Sequence, residues 1–245
     1  IPTLPLFGGP APPAGPDGPK LPDRYDKIRT LGAGGMGTVL LVHDRSLKRQ
    51  VALKVLTGRR VSASARERFL REAQTMAQLA HPNIVPLYDV GDLPDGDFFV
   101  TMKAIEGVTL RESIVRYSDT RTADGRTRLL RHLIGAAHAV AYAHSRGVVH
   151  RDLKPENVMV GPHGETLVMD WGLAKLVGQE DATSRSSSLV ETDVSDVTRD
   201  GVLLGTFRYM SPEQASGKTS EIDATTDVWA LGVILYEILA GEPPF

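Results

Sequence analysis

The stretch that most constrains this chain is Val149–Asn157, in which charged and amide side chains follow one another closely. It reads Val-His-Arg-Asp-Leu-Lys-Pro-Glu-Asn, so that a carboxylate at Asp152, an amine at Lys154 and a carboxamide at Asn157 fall within six residues. A second carboxylate, Asp170, follows in the sequence Met-Asp-Trp-Gly. We interpret the rest of the chain as a scaffold that brings a ligand to these four side chains.

These residue types are the ones that phosphoryl transfer requires. The reaction leaves little covalent chemistry to a protein, which must orient a hydroxyl, hold magnesium and neutralise the phosphates. Asp152 would accept or orient the substrate hydroxyl, and Lys154 would lie beside the migrating group. Asn157 and Asp170 offer hard oxygen ligands, and magnesium commonly takes one or two carboxylates together with phosphate oxygens. The alternative is a solvated loop in which the sequence His-Arg-Asp occurs by chance.

The composition of the chain limits its class. With 245 residues it suits one large domain or two small lobes, and 41% hydrophobic with 24% charged residues is ordinary for a globular chain. The net charge of −2 argues against nucleic acid or an anionic membrane as the main partner. The chain has no cysteine, which fits a reducing cytosol. No signal peptide is visible, and no apolar run approaches the ~20 residues of a membrane span. We therefore expect a cytoplasmic domain, which a longer protein could anchor to a membrane.

Residues 1–22 differ from the rest of the chain in composition. They contain half of its 16 prolines, with glycines between them, and such a segment cannot bury enough apolar surface to order itself. We expect a disordered, partly extended tail there. The alternative is a proline-rich ligand for a small recognition domain, for which Pro10, Pro13 and Pro16 have the spacing.

A glycine-rich sequence, Gly-Ala-Gly-Gly-Met-Gly, occupies residues 32–37. This pattern alone fits a dinucleotide-binding fold equally well, but that fold needs a helix directly after the glycines. Apolar and β-branched residues follow here, which favours a strand–turn–strand arrangement. No lysine follows Gly37 directly, so the pattern is not a Walker-type phosphate loop. Glycines would let backbone N–H groups approach phosphate oxygens; a flexible hairpin turn is the simpler alternative.

Lys54 lies in Val51–Val55, whose alternating pattern predicts a strand. A lysine that points inward is costly unless it finds a partner. Residues 65–79 have helical periodicity, and Glu72 borders their apolar stripe. A Lys54–Glu72 pair would hold the lysine where it can bind phosphates, whereas the alternative is a solvated Glu72 that pairs with an arginine of its own helix.

Taken in order, these motifs resemble those of the protein kinases, in the serine/threonine type found in eukaryotes and in bacteria. The resemblance runs from about Tyr25 to the C-terminus. The motifs are Gly32–Val39, Val51–Lys54, Glu72, His150–Asn157, Asp170–Gly172, Gly205–Thr206, Ser211–Glu213 and Asp227–Trp229.

The resemblance implies an α+β, bilobal protein-kinase-like fold. A small antiparallel β-sheet lobe with one helix would span residues 23–102, and a mainly α-helical catalytic lobe would span residues 103–245. In the family more helices follow, and one of them pairs with the acid that corresponds to Glu213. We therefore expect a C-terminally truncated lobe in which a buried Glu213 lacks its partner, at a cost in free energy. Asp227, at the start of an apolar helix, would accept N–H bonds from the stretch His150–Asn157, which we call the catalytic loop.

The sequence contains local signals for two helices of the second lobe. Thr109 and Glu112 fit a capping box. Apolar residues on one side of residues 126–146 predict a long core helix, which Gly147 would end.

By the same resemblance, ATP would bind in a cleft between the lobes. The backbone of the hinge, residues 103–105, would bind the adenine edge, and Met102 would be the gatekeeper behind the ring. An acidic residue is commoner at the first hinge position, where this chain has Lys103. The implied ATP-site residues are Leu31, Gly32, Ala33, Gly34, Gly35, Met36, Gly37, Val39, Ala52, Lys54, Met102, Lys103, Ile105 and Met159.

The implied catalytic residues are Asp152, Lys154, Lys54, Glu72 and Thr206, with Asn157 and Asp170 as ligands of magnesium, or of manganese in its place. A lysine at the position of Lys154 is typical of serine/threonine kinases, whereas tyrosine kinases usually place an arginine nearby. Thr206 matches a threonine that bridges Asp152 and Lys154. Both features indicate a serine or threonine hydroxyl of a protein as the acceptor.

Residues 170–213 would form the activation segment. Its middle is rich in serine, threonine and acids without clear periodicity, so we expect it to be mobile. A phosphate on Thr198, Ser195 or Thr192 would pair with Arg151 and order the segment, which predicts autophosphorylation and a self-association that serves it. The alternative is a loop whose hydroxyls have no function.

Two other functions fit parts of the sequence. A catalytically impaired scaffold of the kinase fold would bind nucleotide or partner proteins, but such proteins usually lack Lys54, Asp152 or Asp170, which are all present. A small-molecule kinase of related fold fits badly with residues 205–213, which resemble a peptide-docking element.

Overall fold

The computed structural model describes residues 19–34, 37–56, 70, 73–74, 76–120, 122–171, 207–218 and 221–245. The chain divides into two compact units. The first comprises Val85–Ile105 and the described residues up to Ala80, and the second comprises His81–Ile84 and the described residues from Glu106 onwards. Most of the predicted tail, residues 1–18, and most of the predicted activation segment lie outside the described residues.

The first unit is built on an antiparallel sheet. Its strands are β1 (Tyr25–Gly34), β2 (Gly37–Asp44), β3 (Arg49–Leu56), β4 (Leu87–Asp92) and β5 (Phe98–Lys103). They form a five-stranded sheet in the order β1-β2-β3-β5-β4, and each neighbouring pair is antiparallel. The described residues of the helix predicted over 65–79 are helical at 70, 73–74 and 76–77, where Ala73 and Met76 are buried.

The glycine-rich sequence lies where β1 and β2 meet, and Gly34 pairs with Gly37 at the end of the hairpin. Gly37 has a φ of 127°, a conformation that residues with a Cβ rarely adopt. A strand follows the glycines and not a helix. The strand–turn–strand prediction is therefore confirmed, and the dinucleotide-binding alternative is excluded.

Alternation along β2 and β3 gives the sheet two apolar faces. One face packs into a cluster of Tyr25, Leu40, Val42, Val51, Leu53, Val55, Leu93 and Phe99. The opposite face carries a smaller cluster of Leu31, Val39 and Ala52, with Leu41 and Met102 packed against it. The larger cluster holds the sheet together, and the smaller one lies among the residues predicted to bind ATP.

Arg24, which precedes β1, forms ion pairs with two carboxylates of this sheet. Arg24 donates from Nε and Nη2 to the two oxygens of Asp44, at 2.9 and 2.7 Å. Its Nη1 donates to Asp89 at 3.1 Å. Asp44 is 1% exposed, and the Arg24 guanidinium lowers the pKa of its carboxyl to about 2. This bidentate ion pair joins the start of β1 to the end of β2.

The second unit is mainly helical. Its helices are α1 (Leu110–Thr120), α2 (Ala123–His144), α3 (Pro212–Ala215) and α4 (Ala224–Ala240). Its strands β6 (Val108–Thr109), β7 (Val158–Val160) and β8 (Thr166–Val168) form a three-stranded antiparallel sheet in that order. The two units together confirm the predicted α+β class.

The helices begin and end where local chemistry predicts. Glu112 accepts from Thr109 N at 2.8 Å and donates its own backbone N–H to Thr109 Oγ1 at 3.1 Å, which confirms the capping box of α1. Thr122 caps α2 by accepting from Gly125 N at 3.1 Å. The core helix predicted over 126–146 thus begins three residues earlier, at Ala123.

Helix α4 is the apolar centre of the second unit and packs against α2. Asp223 caps its N-terminus by accepting from Thr225 N at 2.8 Å, and Gly241 ends it in the left-handed conformation, with a φ of 89°. No helix in the described part of the chain is long and apolar enough to cross a membrane.

Candidate active site

The loop between α2 and β7 brings three predicted site residues together. Lys154 Nζ lies 3.2 Å from Asp152 Oδ2, and these side chains are 16% and 13% exposed. Asn157 Nδ2 donates to the backbone carbonyl of Asp152 at 2.7 Å and lies 3.4 Å from Asp152 Oδ2. Partial burial strengthens the interaction of these charges relative to water. A carboxylate, an ammonium group and an amide are thereby held in one loop.

Asn157 is fixed on several sides. Its backbone N–H donates to Lys154 O at 2.9 Å, and its carbonyl accepts from Met169 N at 2.8 Å. The residue is 6% exposed, and its Nδ2 donates to the backbone carbonyl of Asp152. Since Nδ2 is occupied, Oδ1 is the atom that this amide offers to a ligand such as a cation.

His150 is a fully buried, neutral support of the loop. Its Nδ1 accepts from Asp152 N at 3.2 Å, and its Nε2 lies 2.8 Å from Met169 O. This pattern requires the proton on Nε2, and burial lowers the pKa of His150, which favours the neutral ring. The ring of Trp171 packs against it with 4.8 Å between centroids. Trp171 and His150 thus form an aromatic contact beside the loop.

Asp170 follows directly on Met169, whose backbone binds both His150 and Asn157. The segment after β8 is therefore tied to the catalytic loop. Asp170 and Arg151 have φ values of 56° and 66°, left-handed conformations that cost non-glycine residues about 1–3 kcal/mol each. Such conformations persist only where the surroundings hold them, and they are frequent at functional sites.

Asp227 of α4 anchors this loop. Its Oδ2 accepts from His150 N at 2.8 Å, and its Oδ1 accepts from Arg151 N at 2.9 Å. The prediction that Asp227 accepts N–H bonds from the loop is confirmed. A third contact was not predicted from the sequence: His144 Nε2 lies 2.7 Å from Asp227 Oδ2. The carboxylate, 1% exposed, is thus surrounded by donors.

Asn157 and Asp170 are the residues that could hold a metal ion here. One carboxylate and one amide oxygen match the few protein ligands that Mg²⁺ takes when phosphate oxygens complete its shell. Among the described residues, no three His, Asp or Glu side chains form a group that could hold a metal ion by themselves. The donor set fits a divalent cation that is bound together with a phosphate ligand.

In the first unit, five predicted ATP-site residues share one face of the sheet. Val39 is the cross-strand partner of Lys54, and Ala52 is the partner of Met102, so each pair points to the same side. Ala52 and Lys54 are two residues apart on β3 and therefore also share a face. Leu31 joins the same cluster. These residues thus form an apolar surface with one lysine beside it.

The remaining predicted residues lie as follows. Gly32 is buried and Ala33 half-buried in β1, Lys103 is exposed at the end of β5, and Ile105 is half-buried just beyond it. Met159 is buried on β7 of the second unit. Gly34 and Gly37 form the paired end of the hairpin. Gly35, Met36, Glu72 and Thr206 lie outside the described residues, so the Lys54–Glu72 pair and the Thr206 bridge stay predictions.

A charged cluster beside the catalytic loop was not predicted from the sequence. Arg111 of α1 donates to Glu156 Oε1 at 2.9 Å and also contacts Glu237 and the hydroxyl of Tyr209. Tyr209 donates to Glu237 Oε2 at 2.7 Å. Glu237 is 3% exposed, and burial is the main cause that raises the pKa of Tyr209. The cluster joins α1, the catalytic loop, the segment around Tyr209 and α4.

Glu213 differs from the expectation of a buried acid without a partner. It is half-buried, and its Oε1 accepts from Thr226 Oγ1 at 2.6 Å. Hydrogen bonds from Ser211 and Thr226 lower the pKa of Glu213. The expected penalty was wrong for this residue, because partial exposure and a hydroxyl donor stabilise its charge. Gln214, next to it, donates to Arg151 O at 2.6 Å and ties α3 to the catalytic loop.

Comparison with known families identifies the chain. The family model described as the protein kinase domain matches residues 25–245. The chain therefore belongs to the protein kinase family, as its ordered motifs indicated.

Curated relatives place it among bacterial members of that family. It is 40% identical over 235 residues to the serine/threonine-protein kinase PknD of Protochlamydia amoebophila, covering 91% of this chain and 24% of the relative. It is 41% identical over 229 residues to PknB of Mycolicibacterium smegmatis, covering 92% of this chain and 34% of the relative. The chain thus spans about a quarter to a third of the length of these relatives.

A solved structure supports the fold. The PknI kinase domain of Mycobacterium tuberculosis is 28% identical, with a TM-score of 0.64, covering 91% of this chain and 76% of that one. A variant of the same domain gives a TM-score of 0.66 at 27% identity. The fold of this chain is that of the protein kinases.

Proposed function

We propose that this chain is the catalytic domain of a protein serine/threonine kinase, which transfers the γ-phosphoryl group of ATP to serine or threonine hydroxyls of proteins. The observation that carries the proposal is the loop of Asp152, Lys154 and Asn157, with contacts of 2.7–3.4 Å, held by the buried Asp227. A scaffold without catalytic function would have no need of these three groups in a strained, anchored loop.

Each side chain of the loop has a role in the proposed reaction. The oxygen of the substrate hydroxyl attacks the γ-phosphorus while the bond from that phosphorus to the β–γ bridging oxygen breaks, and ADP leaves. The hydroxyl proton passes to the carboxylate of Asp152. Lys154, 3.2 Å from Asp152, offsets negative charge on the transferred group.

The divalent cation belongs to the same proposal. Asn157 Oδ1 and the carboxylate of Asp170 would hold Mg²⁺, or Mn²⁺ in its place. When bound, the cation would neutralise negative charge that develops on the phosphate oxygens. Asp170 has a left-handed backbone conformation, with a φ of 56°.

The first unit would hold the nucleotide. Leu31, Val39 and Ala52 offer the apolar surface for the adenine ring, with Met102 as gatekeeper. Residues 103–105 would bind the edge of the ring through their backbone, and Met159 stays the further ring contact that the resemblance implies. Lys54, on the same face of the sheet as Ala52, would bind the phosphates and pair with Glu72.

A serine or threonine acceptor is proposed for two reasons. Lys154 has the form seen in serine/threonine kinases, and the relatives at 40 and 41% identity are named serine/threonine-protein kinases. Thr206 would bridge Asp152 and Lys154 and complete the set of residues around the acceptor hydroxyl.

Regulation and location extend the proposal. Phosphorylation of Thr198, Ser195 or Thr192 by a second copy would give Arg151 a phosphate partner and order the activation segment. The kinase domain would work in the cytoplasm. Mass spectrometry of the segment after incubation with Mg-ATP is expected to find phosphate at one of these residues, and an unmodified segment in an active preparation would contradict this regulation.

The function is tested by product identity. The full-length protein is incubated with radiolabelled ATP, Mg²⁺ and a basic protein, and the labelled product is hydrolysed to its phosphoamino acids. We expect label on phosphoserine and phosphothreonine, and none when Mg²⁺ is chelated. Nucleotide binding without any transfer would contradict the kinase assignment and support the alternative of a scaffold.

A further inference from the structure

Gln214 of α3 forms two hydrogen bonds that place its side chain beside the catalytic loop. Its Nε2 donates to the backbone carbonyl of Arg151 at 2.6 Å, across 63 positions in the chain. Its Oε1 accepts from Ser211 N at 3.1 Å, which is the return bond of the capping box of α3. The reaction described above gives this side chain no role.

The two contacts determine which end of the Gln214 carboxamide faces the loop. Ser211 N is a donor and Arg151 O is an acceptor, so the carboxamide oxygen must face the first and the NH2 group the second. A capping box takes either glutamate or glutamine at this position. An ionised glutamate would satisfy Ser211 N but could not donate to a carbonyl. The glutamine of this chain therefore meets a requirement that lies outside the helix cap.

The carbonyl that Gln214 binds belongs to the peptide group that leads directly into Asp152. The N–H of the same peptide group, Asp152 N, donates to His150 Nδ1 at 3.2 Å. Gln214 and His150 therefore hold the two polar ends of one planar unit. Because the unit is planar, the two bonds together limit its rotation, and with it ψ of Arg151 and φ of Asp152.

The backbone of Arg151 needs such support, because its φ of 66° is in the left-handed region. A residue with a side chain keeps this conformation only where its surroundings hold it. Asp227 accepts from Arg151 N at 2.9 Å, and Gln214 donates to Arg151 O at 2.6 Å. Both polar backbone groups of this residue are thus hydrogen-bonded to side chains. The direction in which the next residue, Asp152, projects its side chain depends on this conformation.

Helix α3, which carries Gln214, is itself anchored on α4. Thr226 Oγ1 of α4 donates to Glu213 Oε1 of α3 at 2.6 Å. The neighbour of Thr226 on α4 is Asp227, which accepts the N–H bonds of the loop. Helix α4 therefore supports the catalytic loop by two routes, directly at its N–H groups and through α3 at the carbonyl of Arg151.

We propose that Gln214 is a positioning residue, which orients the carboxylate of Asp152 by holding the peptide group between Arg151 and Asp152. The proposal rests on the proposed kinase function, in which Asp152 takes the proton of the substrate hydroxyl. A general base must lie within hydrogen-bond reach of the proton that it takes. A rotation of this peptide group would therefore slow phosphoryl transfer and leave nucleotide binding unchanged.

Three substitutions in the full-length protein separate the bond to the loop from the helix cap. Gln214→Glu keeps an acceptor for Ser211 N and loses the donor to Arg151 O. Gln214→Lys keeps a donor and loses the acceptor. Gln214→Met has a similar length and loses both. The matched control is Gln78→Glu, at an exposed glutamine of the first unit.

Steady-state kinetics with a serine peptide measure the effect on the reaction. We expect kcat to fall about 10- to 100-fold in Gln214→Glu and Gln214→Met, as for a small misplacement of a catalytic group, with the KM for ATP unchanged. Gln214→Lys should stay within about threefold of the wild type, and Gln78→Glu should equal it. The opposite pattern, in which Gln214→Glu is active and Gln214→Lys is not, would assign Gln214 to the helix cap and overturn the proposal.

A double-mutant cycle shows whether the effect passes through Asp152. Gln214→Met is combined with Asp152→Asn, which already lacks the base. If Gln214 acts by orienting that carboxylate, its substitution should lower the residual turnover of Asp152→Asn by less than about threefold. An equal fold-loss in the wild type and in Asp152→Asn would indicate a general structural role and overturn the proposal.

Hydrogen exchange gives a measure that does not depend on catalysis. Mass spectrometry follows deuterium uptake by the catalytic loop of the full-length protein without ATP. We expect faster uptake in Gln214→Glu and Gln214→Met than in the wild type and Gln214→Lys, since the peptide group before Asp152 loses one of its two bonds. The same uptake in all four proteins would overturn the proposal.

These outcomes separate the role of Gln214 from the kinase function. Turnover by the wild type with the same kcat in all three Gln214 variants overturns the positioning role alone. No phosphate transfer by the wild type contradicts the proposed function, and hydrogen exchange then decides whether Gln214 positions the loop.

Discussion

Asp227 accepts a hydrogen bond of 2.8 Å from the backbone N–H of His150, from which it is separated by 77 positions in the chain. The same carboxylate accepts from Arg151 N at 2.9 Å and is 1% exposed. The backbone of the catalytic loop is therefore positioned by a side chain of α4, and the conformation that presents Asp152 depends on that helix.

Replacement of Asp227 with alanine tests this dependence. Two backbone N–H groups would lose their acceptor, and a buried donor without a partner costs about 1–3 kcal/mol. We expect the free energy of unfolding, measured in urea, to fall by at least about 2 kcal/mol and turnover to fall with it. Asp124→Ala, at a side chain that is 82% exposed, serves as the control and should change neither. Wild-type turnover in Asp227→Ala would refute the positioning role.

The Arg111 cluster leads to a prediction about stability. Removal of Arg111 leaves Glu237, whose side chain is 4% exposed, without its cation, and breaking a buried ion pair in this way costs about 3–5 kcal/mol. We expect Arg111→Ala to lower the free energy of unfolding by about that amount, and Arg111→Met combined with Glu237→Gln to recover part of it. Arg128→Ala breaks only an exposed pair and should cost less than about 1 kcal/mol. Equal effects of Arg111→Ala and Arg128→Ala would show that the cluster is not a buried network.

Trp171 is buried beside the catalytic loop. Its indole Nε1 donates to Val168 O at 3.2 Å, and its ring packs against His150. Trp171→Phe keeps the aromatic contact and loses the indole donor, so we expect a loss of about 1 kcal/mol in stability, as for a typical hydrogen bond, and retained turnover. Trp171→Ala should cost about 3–5 kcal/mol through the cavity it leaves. If Trp171→Phe abolished turnover while folding normally, the indole would have a role beyond packing.

The Arg24–Asp44 pair predicts a dependence of stability on pH. The pKa of Asp44 falls from 3.8 to about 2 on folding, so the folded state binds its proton less readily than the unfolded chain. The stabilisation is therefore present above pH 3.8 and is lost as the pH falls through about 2. We expect the Tm difference between wild type and Asp44→Asn to be constant near neutral pH and to shrink across this acid range. A difference that does not change with pH would contradict the ionic origin of the contribution.

The parts of the fold that were predicted from the sequence are those with local signals. Alternation in Val51–Val55 indicated a strand, Thr109 with Glu112 indicated a cap, and the residues after Gly37 indicated a second strand. Each signal involves residues within a few positions of one another, so it can be recognised in the sequence without knowledge of tertiary contacts. The catalytic loop was found for the same reason, because its residue types lie together.

The parts that were not predicted depend on distant partners. His144 binds Asp227 across 83 positions, and Arg111 contacts Glu237 across 126. No periodicity or spacing links such pairs, and an arginine on a helix or a histidine near its end is usually solvated. Glu213 was misjudged because its burial was assumed from its counterpart in the family, whereas its exposure depends on how α3 and α4 meet in this chain.

We propose that Asp152 is the base of the phosphoryl transfer. The initial rate of phosphate transfer from radiolabelled ATP to a serine peptide is measured for the wild type and for Asp152→Asn, and circular dichroism checks that both are folded. We expect Asp152→Asn to lower turnover by ~10²–10⁴, the usual size of a general-base contribution, and Asp124→Asn to leave it unchanged. A correctly folded Asp152→Asn with full turnover would show that Asp152 is not the base.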